Sequence, residues 1–152
     1  MVTAEEMCMG NDARQSPSST KSTTTCVRVH AEFEQLAMLR AITETIAMMA
    51  DFGLDEVTDI RLALDEVASV LIAAAVPDSD LDCAFVYSDG VMNVRVGANV
   101  TTDTVPEDGS FGWHIVATLT ASVAVNQEPF DATVEGYPTV IDFSWERPRD
   151  EQ

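Results

Sequence analysis

Positive charge is what this chain has least of. Its 152 residues hold 8 Lys and Arg against 26 Asp and Glu, a formal net charge of −18, and Lys21 is the single lysine. So acidic a chain repels nucleic acid and anionic membranes and attracts basic partners by long-range steering, the plainer alternative being that its acidity serves solubility. No Lys or Arg lies between Arg95 and Arg147. A polyphosphate held in that stretch would meet backbone amides, with or without a metal ion, but no cation nearby in sequence. Cysteine is also scarce: Cys8, Cys26 and Cys83 are odd in number, scattered and without metal-type spacing. That argues against a zinc site and predicts reduced thiols in a cytoplasmic protein, with Cys83 a small core residue. No apolar run reaches the length of a membrane span, and the N-terminus lacks the apolar stretch of a signal peptide. What the chain does have is 46% hydrophobic residues, enough for one domain with a substantial core.

Residues 1–25 read as a disordered tail. The run Ser16-Pro17-Ser18-Ser19-Thr20-Lys21-Ser22-Thr23-Thr24-Thr25 has too little apolar surface to offset the entropy of ordering it. It reads as an inert leader, with a phosphorylated tail as the alternative. The folded domain is expected over 26–147, followed by a charged tail at 148–152. A strand is predicted over Cys26–Ala31, where apolar and polar residues alternate. A first helix follows from Phe33 or Glu34 to Met49, on the spacing of Leu36, Leu39, Ile42, Ile46 and Met49. Its methionines Met38, Met48 and Met49 are core filler or part of an adaptable interface. A second helix over about Asp55–Val76 carries the stripe Val57, Ile60, Leu64, Val67, Leu71 and Ala75, with Pro77 at its exit.

Two strands, about Asp82–Tyr87 and Val91–Ala98, flank the hairpin signal Ser88-Asp89-Gly90. The polar stretch Asn99–Asp108 reads as a loop long enough to act as a lid. A third helix is expected over Phe111–Leu119, and strands near Ser122–Asn126 and Thr139–Glu146 complete the chain. The order β-α-α-β-β-α-β-β predicts an α+β fold: a two-layer sandwich with helices on one face of a mixed, mostly antiparallel sheet.

Two segments carry candidate chemistry. The second helix holds Asp65-Glu66. Further along, Gly109-Ser110-Phe111-Gly112-Trp113-His114-Ile115-Val116 places two glycines at the mouth of an apolar helix. A glycine-led helix N-terminus presents free N–H groups and the positive end of a dipole, so it can hold an anion. The plainer alternatives are a solvated helix glutamate and an ordinary turn. Asp65 reads as a helix-surface residue or the i+4 partner of Arg61, and His114 as a packing residue.

Arg61-Leu62-Ala63-Leu64-Asp65-Glu66-Val67 and Gly109-Ser110-Phe111-Gly112-Trp113-His114, with the hairpin between them, resemble the GHKL (Bergerat-fold) ATPase superfamily. Within it the chain is similar to the RsbW-type, or serine-kinase, anti-sigma factors over about Val27 to Trp145. The resemblance implies a general base at Glu66, which would accept a proton from the attacking hydroxyl. It also implies phosphate contacts from Gly109, Ser110, Phe111 and Gly112. Two parts of the family pattern are missing. The magnesium-binding Asn one turn after the base is replaced by Val70, which has no ligand atom, and Ser69 beside it is a poor substitute. The adenine-reading Asp is replaced by Gly97-Ala98-Asn99, where Asn99 offers only a different amide contact. The resemblance therefore predicts weak or absent ATP binding, magnesium only with ATP, and no metal site in the protein itself.

Two functions from different classes follow from the resemblance. One is an anti-sigma factor that sequesters an alternative (SigB/SigF-type) sigma factor and is released by an anti-anti-sigma factor with a STAS domain. The other is an active serine/threonine kinase that phosphorylates that anti-anti-sigma factor with MgATP. A regulator with an unrelated partner is a third, more distant reading. The resemblance further implies a homodimer, with the first helix and the outer sheet near the partner surfaces. It implies no direct contact with nucleic acid or membrane.

Overall fold

The computed structural model describes Cys8, residues 21–104 and residues 111–147. The expected tails at 1–25 and 148–152 therefore lie largely outside the described residues, as does the lid beyond Thr104. Strand β1 spans Thr23–His30, three residues earlier than expected, because Thr23, Thr24 and Thr25 pair with Tyr87, Val86 and Phe85. A 3-10 turn at Phe33–Gln35 leads into helix α1, Leu36–Met49, and helix α2 follows at Leu54–Ala74. Strands β2, Asp80–Ser88, and β3, Val91–Val100, form the expected hairpin. Its turn uses Gly90 at φ 74°, a left-handed conformation that glycine adopts without steric penalty. Helix α3, Phe111–Leu119, matches its expected bounds, and β4, Ser122–Gln127, and β5, Tyr137–Glu146, complete the sheet.

The five strands run in the order β1-β2-β3-β5-β4. All four pairings are antiparallel, so the sheet is more uniform than the mixed one expected. Alternation sorts the side chains into two faces. One row, Val27, Cys83, Val96, Ile141 and Val125, crosses all five strands in register and faces the helices. Phe85, Val94 and Phe143 lie in a parallel row on that face and are at most 1% exposed. From the helices, Leu39 and Ile46 of α1, Ile60, Leu64, Val67 and Leu71 of α2, and Val116 of α3 close the core. Fully burying one such side chain is worth about 1.5–3 kcal/mol.

Helix α2 stops at Ala74, two residues short of its expected end. Pro77 restrains the residue before it to extended geometry. Ala75 is already extended and bridges Val100, and the Val76 N–H donates to the Asn99 carbonyl at 2.8 Å. The last expected helical residues thus tie α2 to the end of β3. No helix among the described residues is long and apolar enough to cross a membrane.

The expectation of three reduced cysteines is corrected. Cys83 is free and buried as expected, but Cys8 and Cys26 form a disulfide, their Cα atoms 5.9 Å apart. Spacing along the chain carried no information about this pair, because β1 brings Cys26 to a place that Cys8 reaches only through the fold.

Candidate functional site

The carboxylate helix α2 and the first turn of α3 come together at Glu66 and Gly112. Glu66, half-buried on α2, points its carboxylate at Gly112 in the first turn of α3. A Cβ added at Gly112 would lie 2.6 Å from Glu66 Oε2 and 3.6 Å from its carboxyl carbon. Glycine at this position leaves room for the carboxylate beside the helix start, where the dipole favours negative charge. Glu66, Val67, Val70, Gly112, Trp113, Val116 and Ile141 line the cleft between the two helices and the sheet. The cleft holds about 10 Å³, the threshold for a single water molecule.

Four of its seven lining residues are aliphatic or aromatic side chains from the core or its margin: Val67, Trp113, Val116 and Ile141. Val70 lies one turn beyond Glu66, is 37% exposed, and presents only methyl groups to the cleft. No group of three or more His, Cys, Asp or Glu placed to hold a metal ion occurs among the described residues. The chemistry this arrangement offers is that of a single carboxylate, able to accept a proton, beside a helix N-terminus.

The other expected site residues fall as follows. Gly109 and Ser110 lie outside the described residues, and Phe111 opens α3. Asn99 is not brought to the cleft. Its neighbours Ala98 and Val100 belong to the core, so alternation turns Asn99 to the sheet face away from the helices. There it sits opposite Pro138. His114 is exposed, not packed: the helical phase turns it outward, while Val116 is buried and Trp113 packs against the core.

Asp65 and Arg61 do not pair with each other. Arg40 Nε donates to Asp65 Oδ1 at 2.8 Å, and Arg61 Nη1 donates to Glu44 Oε1 at 2.6 Å. Arg40 and Glu44 are one turn apart on α1, as Arg61 and Asp65 are on α2, so two crossed ion pairs bind the helices together. The Asp65 carboxylate, through its hydrogen bond and its charge, raises the Arg40 pKa above its ordinary value.

Those two ion pairs draw the charges of α1 toward α2 and leave its outward face uncharged. Ala37, Met38, Ala41, Thr45, Met48 and Met49 are all exposed there, with Met49 at 69%. Across the molecule, the outer sheet face carries two cross-strand ion pairs, Arg28 with Asp82 and Arg95 with Asp142. Sequence reasoning also missed Arg147, the last residue of the expected domain, to which it gave no role. Its Nη1 donates to the Asp51 carbonyl at 2.6 Å and its Nη2 to Asp89 at 2.9 Å, locking β5 to the hairpin. Asp51 has φ 68°.

No protein-family model matches the chain. It is 36% identical over 97 residues to the anti-sigma-F factor RsbW in two strains of Mycobacterium tuberculosis, CDC 1551 / Oshkosh and ATCC 25618 / H37Rv. That match covers 64% of this chain and 58% of the relative's length. In fold it is similar to a crystal structure of RsbU and RsbW domains from the same organism, with a TM-score of 0.61 and 14% identity. The superposition covers 83% of this chain and 33% of that one. The curated relative thus shares sequence over 97 residues with this chain, and the solved structure shares its fold.

Proposed function

Because the chain is similar in sequence and fold to RsbW-type anti-sigma factors, we propose that it is itself an anti-sigma factor. It binds an alternative (SigB/SigF-type) sigma factor and gives it up to an anti-anti-sigma factor with a STAS domain. The observation that carries this reading is the 36% identity over 97 residues to the anti-sigma-F factor RsbW. Two features of the molecule support it. A net charge of −18 favours a partner with basic surfaces. The uncharged methionine face of α1 offers apolar, adaptable contact area on an element that the resemblance places near the partner surfaces.

In this reading binding, not catalysis, is the activity. Val70, one turn after Glu66, offers no oxygen to a magnesium ion, and Asn99 lies on the far face of the sheet, opposite Pro138. ATP therefore binds weakly or not at all. The protein acts as a homodimer in the cytoplasm. The test is co-purification of the tagged chain from its own organism with mass spectrometry, followed by transcription from the bound sigma factor's promoter in vitro. Recovery of a sigma factor and silencing of its promoter are expected. A chain that binds no sigma factor of that organism overturns the reading.

The contact of Glu66 with Gly112 favours a second reading, in which the carboxylate is the base of a serine kinase. Labelled MgATP and a STAS-domain protein separate the two. Transfer of label that is lost in Glu66→Ala would establish the kinase; absence of transfer, with no thermal shift on adding MgATP, would remove it.

A further inference from the structure

One stretch of this strongly acidic chain carries no charge. No Asp, Glu, Lys or Arg lies between Asp108 and Glu128, and the described part of that stretch forms α3 and β4. Of residues 112–127 only Val116 is buried. His114, Ala117 and Thr118 are exposed on α3, Ser122, Ala124 and Asn126 are exposed on β4, and Val123 and Val125 are half-buried. Strand β4 pairs only with β5 and ends the sheet order. Helix α3 packs beside α2 and reaches β4, so the uncharged helix and the uncharged strand lie together at one edge.

The backbone of that edge faces outward in a definite pattern. The Glu128 N–H donates to the Pro138 carbonyl, and the register with β5 runs unbroken from Ser122 to Gln127. Bonded pairs alternate along an antiparallel ladder. Ser122, Ala124 and Asn126 therefore bond to β5, and Val123, Val125 and Gln127 turn their N–H and C=O groups away from it. Such groups are a template for another strand, and edges are ordinarily guarded by charge, proline or a covering element. The opposite edge has a guard of charge: on β1, Arg28 and His30 each lie against an Asp of β2. Strand β4 holds neither a charged residue nor a proline.

We propose that β4 is the seam of a dimer, in which β4 of a second copy of this chain continues the sheet antiparallel about a two-fold axis through Val125. The inference rests on the homodimer of the proposed function and gives it an interface. Charge selects the occupant. A second copy carries the same net charge of −18, so two copies repel wherever their carboxylates face each other, and along Ser122–Gln127 neither supplies one. A basic partner gains nothing from an edge without charge. The register is self-consistent as well. With Val125 opposite its own twin, Val123 of each copy faces Gln127 of the other. These are the outward-turned residues, so each pair can exchange both backbone bonds. Between them Ala124 lies opposite Asn126, on the face away from the helices. The two-fold uses the seam once in each copy and closes the assembly at two.

Val125→Pro removes the N–H at the axis without touching a bond to β5, and proline is tolerated on an edge strand whose N–H faces outward. Sedimentation velocity of the full chain is expected to give a dimer for the native protein and a monomer for Val125→Pro, with unchanged circular dichroism. A second measurement does not depend on proline. In a hydrogen-bonded pair the Cα atoms are about 5.5 Å apart, within disulfide range, so Val125→Cys should cross-link into a covalent dimer on mild oxidation. Asn126→Cys, whose twin lies on the diagonal at about 7–8 Å, should cross-link no more than the native chain. If Val125→Pro does not fold, the cysteine variants decide alone. A native chain that is monomeric at every concentration overturns both the seam and the homodimer of the proposed function. An edge that pairs only with another protein, leaving the native chain monomeric, has the same consequence. A native dimer that survives Val125→Pro, or one in which Val125→Cys cross-links no better than Asn126→Cys, overturns the seam alone and leaves the homodimer on another surface.

Discussion

The contact between Glu66 and Gly112 can be weighed by a double-mutant cycle. Gly112 lies in the first turn of α3 without a positive φ, so alanine suits its backbone. Gly→Ala at such a position stabilises by about 0.4–1 kcal/mol, mainly by restricting the unfolded chain. In the native chain the new Cβ would meet Glu66 Oε2 at 2.6 Å, whereas ordinary contact begins near 3.4 Å. The carboxylate must therefore retreat by roughly 0.8 Å, and a displaced rotamer of that kind costs about 0.5–1.5 kcal/mol. Gly112→Ala alone should thus be near neutral or destabilising by up to about 1 kcal/mol. In a Glu66→Ala background nothing retreats, and the same substitution should stabilise by about 0.4–1 kcal/mol. The expected coupling is the difference, about 0.5–1.5 kcal/mol, within the range for residues in contact. Urea unfolding of the four proteins measures it through shifts in midpoint at constant slope. Additivity within about 0.3 kcal/mol would show that the two motifs do not touch in solution, and the shared cleft would lose its basis.

Three further outcomes follow from the packing. Gly136→Ala should lower stability by about 1–3 kcal/mol, read as a lower melting temperature, because its Cβ would lie 2.8 Å from the Val100 carbonyl oxygen and 2.7 Å from Val76. Unlike Glu66, that carbonyl is backbone and cannot swing aside. Arg147→Ala should cost about 1–2 kcal/mol in the same measurement, since it removes the donors to the Asp51 carbonyl and to Asp89. The Cys83 thiol, raised from 9.0 to about 12 by burial, stays protonated in the folded chain at pH values where the unfolded chain ionises. Its contribution to stability is complete below about pH 9 and is lost as pH rises from about 9 toward 12. Urea midpoints measured across that window should fall more steeply for the native chain than for Cys83→Ala.

Periodicity located every strand and helix of the described chain, most sharply α3, where a glycine-led start and a short apolar run leave little choice of bounds. It was less sharp where two neighbouring elements share residues. The threonines before Cys26 read as tail on composition, yet they find backbone partners on β2. The residues before Pro77 kept their place in the apolar stripe of α2 but not in its helix. Partner choice was the hardest thing to read. Arg61 and Asp65 are correctly spaced to pair on one helix, but α1 brings Glu44 and Arg40 alongside, and cross-helix geometry wins. The convergence of Glu66 with Gly112 came from the resemblance of two motifs and not from any local pattern. The alternation of Val94, Val96, Ala98 and Val100 with Arg95 and Asn99 already turns Asn99 to the far side of the sheet, whereas its expected role at the cleft came from the family pattern alone.

The ion pairs also bear on how the chain meets a partner. Arg28, Arg40, Arg61, Arg95 and Arg147 each lie against an Asp or Glu of the same chain. Five of the chain's 8 basic side chains are thereby held against internal carboxylates, so the field that reaches into solution is that of the acidic excess. Such a field accelerates encounter with a basic partner by about 10-fold to 10³-fold at low salt. It fades as the screening length falls from about 30 Å at 0.01 M to 3 Å at 1 M. Contacts made by the methionine face of α1 are insensitive to that change. Raising ionic strength should therefore slow association with the proposed sigma factor at least tenfold while altering dissociation little. Stopped-flow mixing over a salt series separates the two rates. An association rate flat across the series would mean that charge does not bring the partners together, and that the acidity of the chain serves solubility alone.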